Sequence, residues 1–231
     1  MAADETIAGI SSMATRQLLA ELAEAYGRRS GVVVRFESVG GVDALRRVQA
    51  GEAFDVAVLA ADAIDKLLAS GHVVAGSKVD LARSDVAIAV RAGAPRPDVA
   101  SGDALRNAVL SARSVGYSTG PSGVALLKLF ERWGIADAVR LRIVQAPPGV
   151  PVGKLVADGA VELGFQQLSE LMHLPGIELL GTMPSGCEIV TVFSGGVCAA
   201  SARARAAQDL LAYLRSPEAA DAKRRQGMEP A

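Results

Sequence analysis

The sequence contains few of the residues that metal, cofactor and nucleic-acid sites require. Its 231 residues include two cysteines, Cys187 and Cys198, and two histidines, His72 and His173. The cysteines do not form a CxxC pair, so this inventory cannot make a zinc or iron site at the usual ligand spacing. Aromatic residues are 4% of the chain and the net charge is −1, whereas nucleic-acid sites favour stacking and clustered basic residues. We therefore predict no metal, no cofactor and no nucleic-acid partner.

Long apolar runs are also missing, although half of the residues are hydrophobic. No run approaches the roughly 20 residues of a membrane-spanning helix, whereas 50% hydrophobic composition is ample for a folded core. Ten residues separate the cysteines, which could pair only if their strands approached each other. We predict that both cysteines are free, small buried residues.

The amino-terminal segment "MAADETIAGISS" has neither the basic nor the apolar region of a signal peptide. The letters "AAD" ahead of the first strand are typical of what remains after cleavage at a small-residue signal site. This pattern favours a mature secreted protein, located in the periplasm, with an added Met. An ordinary cytoplasmic amino terminus is the open alternative.

Strand and helix patterns alternate along the chain. A short strand, 6–10, precedes a helical pattern in which Leu18, Leu19, Leu22 and Tyr26 share one face. Further strands are predicted at 32–39 and 54–60, and a continuous apolar strand of this kind is typical of a parallel sheet covered on both faces. A second set of strands and helices follows from about residue 101 to residue 181, and two helices broken at Ser216-Pro217 end the chain.

Two long extended segments, about 81–91 and 187–198, connect these two sets of elements. We therefore predict an α/β protein of two Rossmann-like lobes joined by two hinge strands. The expected boundaries give one lobe from 1–82 with 195–231 and the other from 83–194. Ligands of open α/β sheets bind at the carboxyl ends of the strands, so we expect a ligand site in a cleft between the lobes and a monomeric protein.

Small, hydroxyl-bearing and amide residues occupy the predicted junctions between strands and helices. Free backbone N–H groups and the helix dipole at such turns favour anions. The candidate ligand residues are Ser11, Ser12, Ser38, Gly40, Gly41, Ser118, Ser122, Gly123, Val150, Gln166 and Gln167. For any one serine alone a simple helix cap is the favoured role, and it is the collective pattern that favours a ligand site; Gln167 could bond the local backbone instead. The turn "GPSG" at 120–123 is the most specific of these patterns, because Pro suits the first helical turn and the small residues expose the backbone.

Arg83 is a candidate of a different kind, since it begins one of the predicted hinge strands. Its guanidinium suits the bidentate capture of a carboxylate. Pairing with Asp80 or Asp85 on the surface is an equally good interpretation. Glu37 and Asp55, close to strand ends, could act as acids or bases, although surface or capping roles suit both.

The segments "SSMATRQLLAELAEAYGRRSGVVVRF" and "ALRRVQAGEAFDVAVLA", with the ending "AAQDLLAYLRSPEAADAKRRQGMEPA", resemble bacterial periplasmic solute-binding proteins. They are most similar to the molybdate-binding branch of the type 2 group, and the resemblance covers nearly the whole chain. It implies the type 2 periplasmic binding protein fold. It also implies ligand contacts at Ser11 or Ser12, at Gly40 or Gly41, near Val150 and at Gln167.

Two of these positions depart from the family pattern. A glycine stands where the family has a second serine, and Gln167 stands where it has a tyrosine. The loss of two side-chain donors argues against molybdate, while amides can donate to a carboxylate and accept from a hydroxyl. The stretch "APPGVPVGKLVADG" followed by "LGFQQLSEL" is similar to aconitate isomerase-like proteins, a divergent branch on the same fold.

Three functions are compatible with these patterns. The first is a periplasmic receptor that traps a small anion, a di- or tricarboxylate, and delivers it to an ABC permease; molybdate or tungstate is the alternative ligand. The second is a cofactor-independent isomerase that moves a proton within aconitate, for which the sequence shows no obvious base. The third, a LysR-type effector domain, shares the fold, but no helix-turn-helix precedes it in this sequence.

Overall fold

A computed structural model describes residues 6–231. The segment "AAD", on which the expectation of a processed amino terminus rests, lies outside these residues. Within them the strands are β1 Thr6–Ser12, β2 Val33–Val39, β3 Val56–Ala60, β4 Val79–Arg91, β5 Val115–Tyr117, β6 Ile143–Gln145, β7 Leu163–Gln167, β8 Ile177–Thr182, β9 Val190–Val197 and β10 Glu229–Pro230.

The α-helices are α1 Arg16–Ser30, α2 Gly41–Gln49, α3 Ala61–Ala69, α4 Gly102–Ser111, α5 Pro121–Arg132, α6 Ala136–Val139, α7 Val152–Ala157, α8 Leu168–Leu171, α9 Ala204–Arg215 and α10 Ala220–Arg225. Short 3-10 helices precede α1 and α10, at Met13–Thr15 and Pro217–Ala219. None of the helices in residues 6–231 is both long enough and apolar enough to span a membrane.

The chain forms two compact units. The first runs to Arg83 and resumes at Val192, and the second is Ser84–Thr191. Strands β4 and β9 each contain one of these two boundaries.

The first unit has the strand order β2-β1-β3-β9. Strand β1 is parallel to β2 and β3, and β9 is antiparallel to β3. Alternate residues of β3 enter different cores, because successive side chains of a strand point to opposite faces. Val56 and Val58 pack with α1 and α9, whereas Ala57 and Leu59 pack with α2 and α3. The predicted parallel pairing is confirmed for β1, β2 and β3, and both faces of the sheet are covered, while β9 adds an antiparallel strand.

The second unit has the strand order β4-β7-β5-β6, with β8 also paired to β4. Strands β5, β6 and β7 are parallel, and β4 is antiparallel to β7. Val86 and Ile88 of β4 pack with Phe165 against α4 and α5. Ala87 and Ala89 face the opposite side, where they pack with Leu171 of α8.

Several boundaries differ from the sequence prediction. The first strand continues through Ser12 rather than ending at residue 10, so both serines extend the strand. The pattern "VRLRIVQA" predicts a strand at 139–146, but the structure shortens it to β6, since the turn of α6 precedes it and Val139 N donates to Ile135 O. Arg142, directly before β6, donates from Nη1 to the carbonyl of Leu110, 2.8 Å away, and so ties this segment to the end of α4.

Candidate functional site

Two serines meet at the carboxyl ends of parallel strands β1 and β2. Ser11 lies opposite Ser38 in the register of the two strands, and their hydroxyl oxygens are 2.8 Å apart. Ser11 is buried and also donates weakly to the carbonyl of Ser12, at 3.3 Å. The parallel pairing therefore brings together two of the predicted ligand residues, which position each other.

Ser12 has a different environment from its neighbour. Its side chain is buried, with the residue 7% exposed, and its Oγ has no hydrogen-bond partner among residues 6–231. Its carbonyl accepts from Thr15 Oγ1 at 3.0 Å, which closes the turn after β1. A Cβ added to Gly41 would lie 3.9 Å from Ser12 Cβ, so the unpaired hydroxyl is on the residue beside the first turn of α2.

The amino terminus of α2 is built from glycines. Gly40 is the N-cap residue and provides no side-chain hydrogen bond, and Gly41 is the first helical residue. The first N–H groups of an α-helix have no partner within the helix and carry the positive end of its dipole. Ser12 therefore lies beside this helix terminus in the first unit, where Asp43 of the same turn is held by Arg46 at 2.6 Å.

The turn between β5 and α5 forms a second candidate site in the other unit. Ser118 and Ser122 share a hydrogen bond of 3.0 Å between their hydroxyls, and Ser122 is buried. Pro121 occupies the first turn of α5, as the sequence predicts. The carbonyl of Ser118 lies so close to Gly123 that no side chain fits at that position. The turn is thus a rigid strand-to-helix junction with a helix amino terminus at its centre.

The predicted backbone contact at Val150 is engaged in a turn of its own. Val150 N donates to the carbonyl of Pro147 at 3.0 Å, and Gly149 in between has a φ of 77°. The following helix, α7, receives its cap from another strand. Gln166 Oε1 accepts from Val152 N at 2.8 Å and from Gly153 N at 3.4 Å.

The two adjacent amides that end β7 are both buried. Gln166 is 3% and Gln167 4% exposed, and consecutive strand residues point to opposite faces of the sheet. Gln166 spans from the cap of α7 to Glu170, because its Nε2 donates to Glu170 Oε1 at 2.8 Å. Gln167 Nε2 donates to Thr191 Oγ1 at 2.7 Å, while its Oε1 is buried without a partner among the described residues.

Glu170 is a candidate site residue that the sequence did not reveal. It is partly buried in α8, and burial raises the pKa of its carboxyl to about 7, an effect that the hydrogen bond from Gln166 opposes. Its spacing of four residues from Gln166 was the available signal, but the sequence does not show that α8 carries this carboxyl away from solvent. Thr191 was missed for a similar reason, since it lies 24 residues from the amide that it holds.

Arg83 is exposed and lies opposite Glu229 in the pairing of β4 with β10. The surface pairs considered for it do not form among the described residues, and Asp80 instead accepts from Ser194 Oγ at 2.6 Å. The guanidinium of Arg83 is therefore available to a ligand.

The other acidic candidates have structural partners. Glu37 is exposed and bonded to Arg47. Asp55 is buried and accepts from Ala8 N at 2.9 Å and from Ser201 Oγ at 2.7 Å, which fixes the start of β3. Neither is arranged as a free acid or base.

Both cysteines are free and buried, as predicted. Burial raises the pKa of Cys198 to about 12, so its thiol is unreactive at neutral pH. No group of three His, Cys, Asp or Glu residues within residues 6–231 could hold a metal ion.

Comparison with known proteins agrees with this architecture. A family model described as bacterial extracellular solute-binding protein matches residues 7–229. The chain is 38% identical to a protein named aconitate isomerase from a Pseudomonas species, over 97% of this chain and 88% of that relative.

Two solved structures show the same fold at low sequence identity. The periplasmic molybdate-binding protein of Azotobacter vinelandii is 20% identical with a TM-score of 0.79, over 96% of this chain and 98% of that chain. The sulfate-binding protein SubI of Mycobacterium tuberculosis H37Rv is 16% identical with a TM-score of 0.80, over 98% of this chain and 87% of that chain. The predicted type 2 periplasmic binding protein fold is confirmed.

Proposed function

Because this chain belongs to the bacterial extracellular solute-binding protein family, we propose that it binds a small anion with two or three carboxyl groups. The observation that carries the proposal is the buried, unpartnered hydroxyl of Ser12 beside the first turn of α2. A buried polar group without a partner costs about 1–3 kcal/mol. A carboxylate oxygen that accepts from Ser12 and from the helix terminus would remove this cost.

Gln167 supports a carboxylic ligand over a tetrahedral oxyanion. Thr191 holds one atom of its amide and leaves the other buried and unpaired. Thr191 can donate or accept, so the amide can present either its oxygen or its nitrogen. The oxygen would accept from a ligand hydroxyl or protonated carboxyl, a donor that a fully ionised oxyanion lacks.

A tricarboxylate is favoured among carboxylic ligands. The relative named aconitate isomerase is 38% identical across almost the whole chain, a far closer similarity than the 16–20% identity to the solved molybdate- and sulfate-binding structures. Within the first unit, the exposed guanidinium of Arg83 adds capacity for a further carboxyl group.

In the receptor form of this proposal, the protein is periplasmic, carries its ligand in monomeric form and delivers it to an ABC-type permease. The family membership supports this form, since solute capture is what its description names.

The second candidate function is isomerisation of the bound tricarboxylate by a proton shift between cis- and trans-aconitate. The similarity to the Pseudomonas relative favours it. This function needs an acid–base group within hydrogen-bond reach of the reacting carbon.

Thermal unfolding in the presence of candidate anions tests the ligand class. We expect citrate, cis-aconitate or trans-aconitate to raise the melting temperature, since a ligand at 100 times its Kd adds about 2.7 kcal/mol of stability. Molybdate and sulfate serve as the comparison, and stabilisation by molybdate alone would contradict the carboxylate proposal.

Incubation with trans-aconitate, followed by NMR, distinguishes the receptor function from the isomerase function. Appearance of the cis isomer would establish the isomerase. Tight binding without conversion would leave the receptor.

A further inference from the structure

The amide of Gln166 has one possible orientation. Its Oε1 accepts from two backbone donors, Val152 N at 2.8 Å and Gly153 N at 3.4 Å. Backbone N–H groups cannot accept, so the oxygen has to face α7 and the NH2 group has to face Glu170. The 2.8 Å contact between Gln166 Nε2 and Glu170 Oε1 is therefore a hydrogen bond that the amide donates.

Glu170 has little else to stabilise its charge. The next residue in the sequence, Leu171, packs with Ala87 and Ala89 in an apolar cluster. Among residues 6–231 no basic side chain forms an ion pair with Glu170. The hydrogen bond that the neutral amide of Gln166 donates lowers the pKa of Glu170. Burial outweighs this bond and raises the pKa of the carboxyl to about 7. At neutral pH both the charged and the protonated forms are populated, as a group that accepts and returns a proton requires.

Helix α8, which carries Glu170, begins at the edge of the sheet where the parallel strands of the second unit have their carboxyl ends. Helix α8 begins directly after β7, and β7 runs parallel to β5, whose carboxyl end leads into Ser118. The carboxyl ends of parallel strands meet at one edge of a sheet, where α/β proteins bind ligands. Gln166 connects Glu170 to the first turn of α7 at this same edge.

We propose that Glu170 is the acid–base residue of an isomerisation of a tricarboxylate, with Gln166 as the residue that positions it. This inference rests on the second candidate function above. It supplies the base that neither the sequence motifs nor the hydrogen-bonded carboxylates of Glu37 and Asp55 provide.

The reaction is a proton shift along three carbons. The ionised carboxylate of Glu170 removes a proton from the methylene carbon of aconitate. The electron pair of that C–H bond forms a new double bond between the former methylene carbon and the central carbon. The π electrons of the old double bond move onto the third carbon, which then takes up a proton. Glu170 returns the proton there, so the substrate and product have the same composition and no oxidant or cofactor is consumed.

Three variants test this role: Glu170→Gln, Glu170→Asp and, as the matched control, Glu162→Gln. Glu162 is an exposed carboxylate that pairs with Arg113 at 3.0 Å, directly before β7, so its replacement makes the same chemical change away from the proposed base. Conversion of trans-aconitate is followed by NMR in H2O, and exchange of the methylene hydrogens is followed in D2O. The shift of melting temperature with trans-aconitate reports binding and folding of each variant.

We expect Glu170→Gln to lose at least a hundredfold of the conversion and exchange rates while it keeps the ligand-induced shift, since a positioned acid–base group contributes about 10²–10⁴-fold. Glu170→Asp should retain a measurable rate with an altered pH profile, and Glu162→Gln should match the wild type. Conversion by Glu170→Gln at the wild-type rate would overturn the assignment of Glu170 alone. A wild-type protein that binds trans-aconitate but neither converts it nor exchanges its hydrogens would overturn the isomerase function, and the assignment of Glu170 with it.

Discussion

A Cβ atom on Gly123 would lie 1.9 Å from the carbonyl oxygen of Ser118. This distance is far inside van der Waals contact, so the turn before α5 keeps its shape only with glycine at that position. The same turn carries the hydrogen bond between Ser118 and Ser122. The geometry of one candidate anion site is therefore fixed by the backbone as well as by its hydroxyl groups.

Gly123→Ala is expected to lower the free energy of unfolding by about 2 kcal/mol or more, because overpacking forces the Ser118 carbonyl to move. Urea denaturation measures this change. Gly120→Ala is the control, since the nearest atom to a Cβ there, Ser118 Oγ, is 4.0 Å away and the φ of −83° suits alanine. Equal effects of the two substitutions would show that the close approach is not what requires glycine.

Ser12→Ala should weaken binding of the carboxylate at least tenfold without loss of stability. The hydroxyl has no partner among residues 6–231 to lose, whereas a hydrogen bond to a charged ligand contributes about 1.5–3 kcal/mol. Titration calorimetry gives the affinity and thermal unfolding the stability. Ser216→Ala removes another buried, unpartnered hydroxyl and should leave the affinity as it is. A stable Ser12→Ala variant with wild-type affinity would exclude Ser12 as a ligand.

Arg83→Ala should also reduce carboxylate affinity at least tenfold, because the exposed guanidinium makes no ion pair with Asp80 or Asp85 and can engage a carboxyl group of the ligand. Salt should weaken binding more in the wild type than in the variant. An affinity equal to that of the wild type would remove Arg83 from the site and leave it as a surface residue.

Glu170 should make the protein less stable as the pH rises. Its pKa is about 7 in the folded state against an ordinary value of 4.5, so folding favours the protonated form. The stabilising contribution is complete below about pH 4.5 and is lost as the pH passes through 7. Glu170→Gln removes this dependence, and by pH 8 the variant should gain up to about 3 kcal/mol over the wild type. Unfolding curves at pH 5 and pH 8 that shift equally in both proteins would contradict the raised pKa.

Lys223 lies in the hydrophobic core of the first unit and is 1% exposed. Burial lowers the pKa of its ammonium group below 10.5, and no charge among the residues that the structure describes offsets this effect. Because the unfolded chain binds the proton more tightly, stability rises with pH between the folded and unfolded pKa values. Lys223→Met should stabilise the protein at pH 7 by about 1–3 kcal/mol, since it removes a desolvated charge. Lys66→Met, at an exposed lysine paired with Asp62, should have little effect, and a destabilised Lys223→Met would show that the ammonium group makes a needed hydrogen bond.

The alternation of strands and helices was readable from the sequence because burial imposes a period on apolar residues. Leu18, Leu19, Leu22 and Tyr26 are all buried on α1, and every residue of β3 is buried, as their patterns predict. The bounds of short helices and strands were predicted less accurately. The strand predicted at 139–146 begins on the last residue of α6 and is longer than β6, because such short elements carry too little periodicity to define their ends.

For the candidate site residues, the sequence predicted their positions at strand ends but not their hydrogen-bond partners. Ser11 and Ser38 were both predicted at strand-to-helix junctions, and parallel pairing brings their hydroxyl oxygens within 2.8 Å of each other. Gln166 was predicted as a ligand residue, yet its amide oxygen caps α7. Local patterns indicate which residues end a strand, but they do not show which helix packs above each side chain.

The sequence by itself determined the strand-end positions of the serines, glycines and amides, because chain order and the periodicity of burial fix where each strand stops. Only the tertiary structure decided the chemistry of three residues. It left the hydroxyl of Ser12 unpaired, fixed the amide of Gln166 against α7 and removed the carboxyl of Glu170 from water. These properties depend on partners and on desolvation, which arise from packing between elements and are not encoded in any single segment.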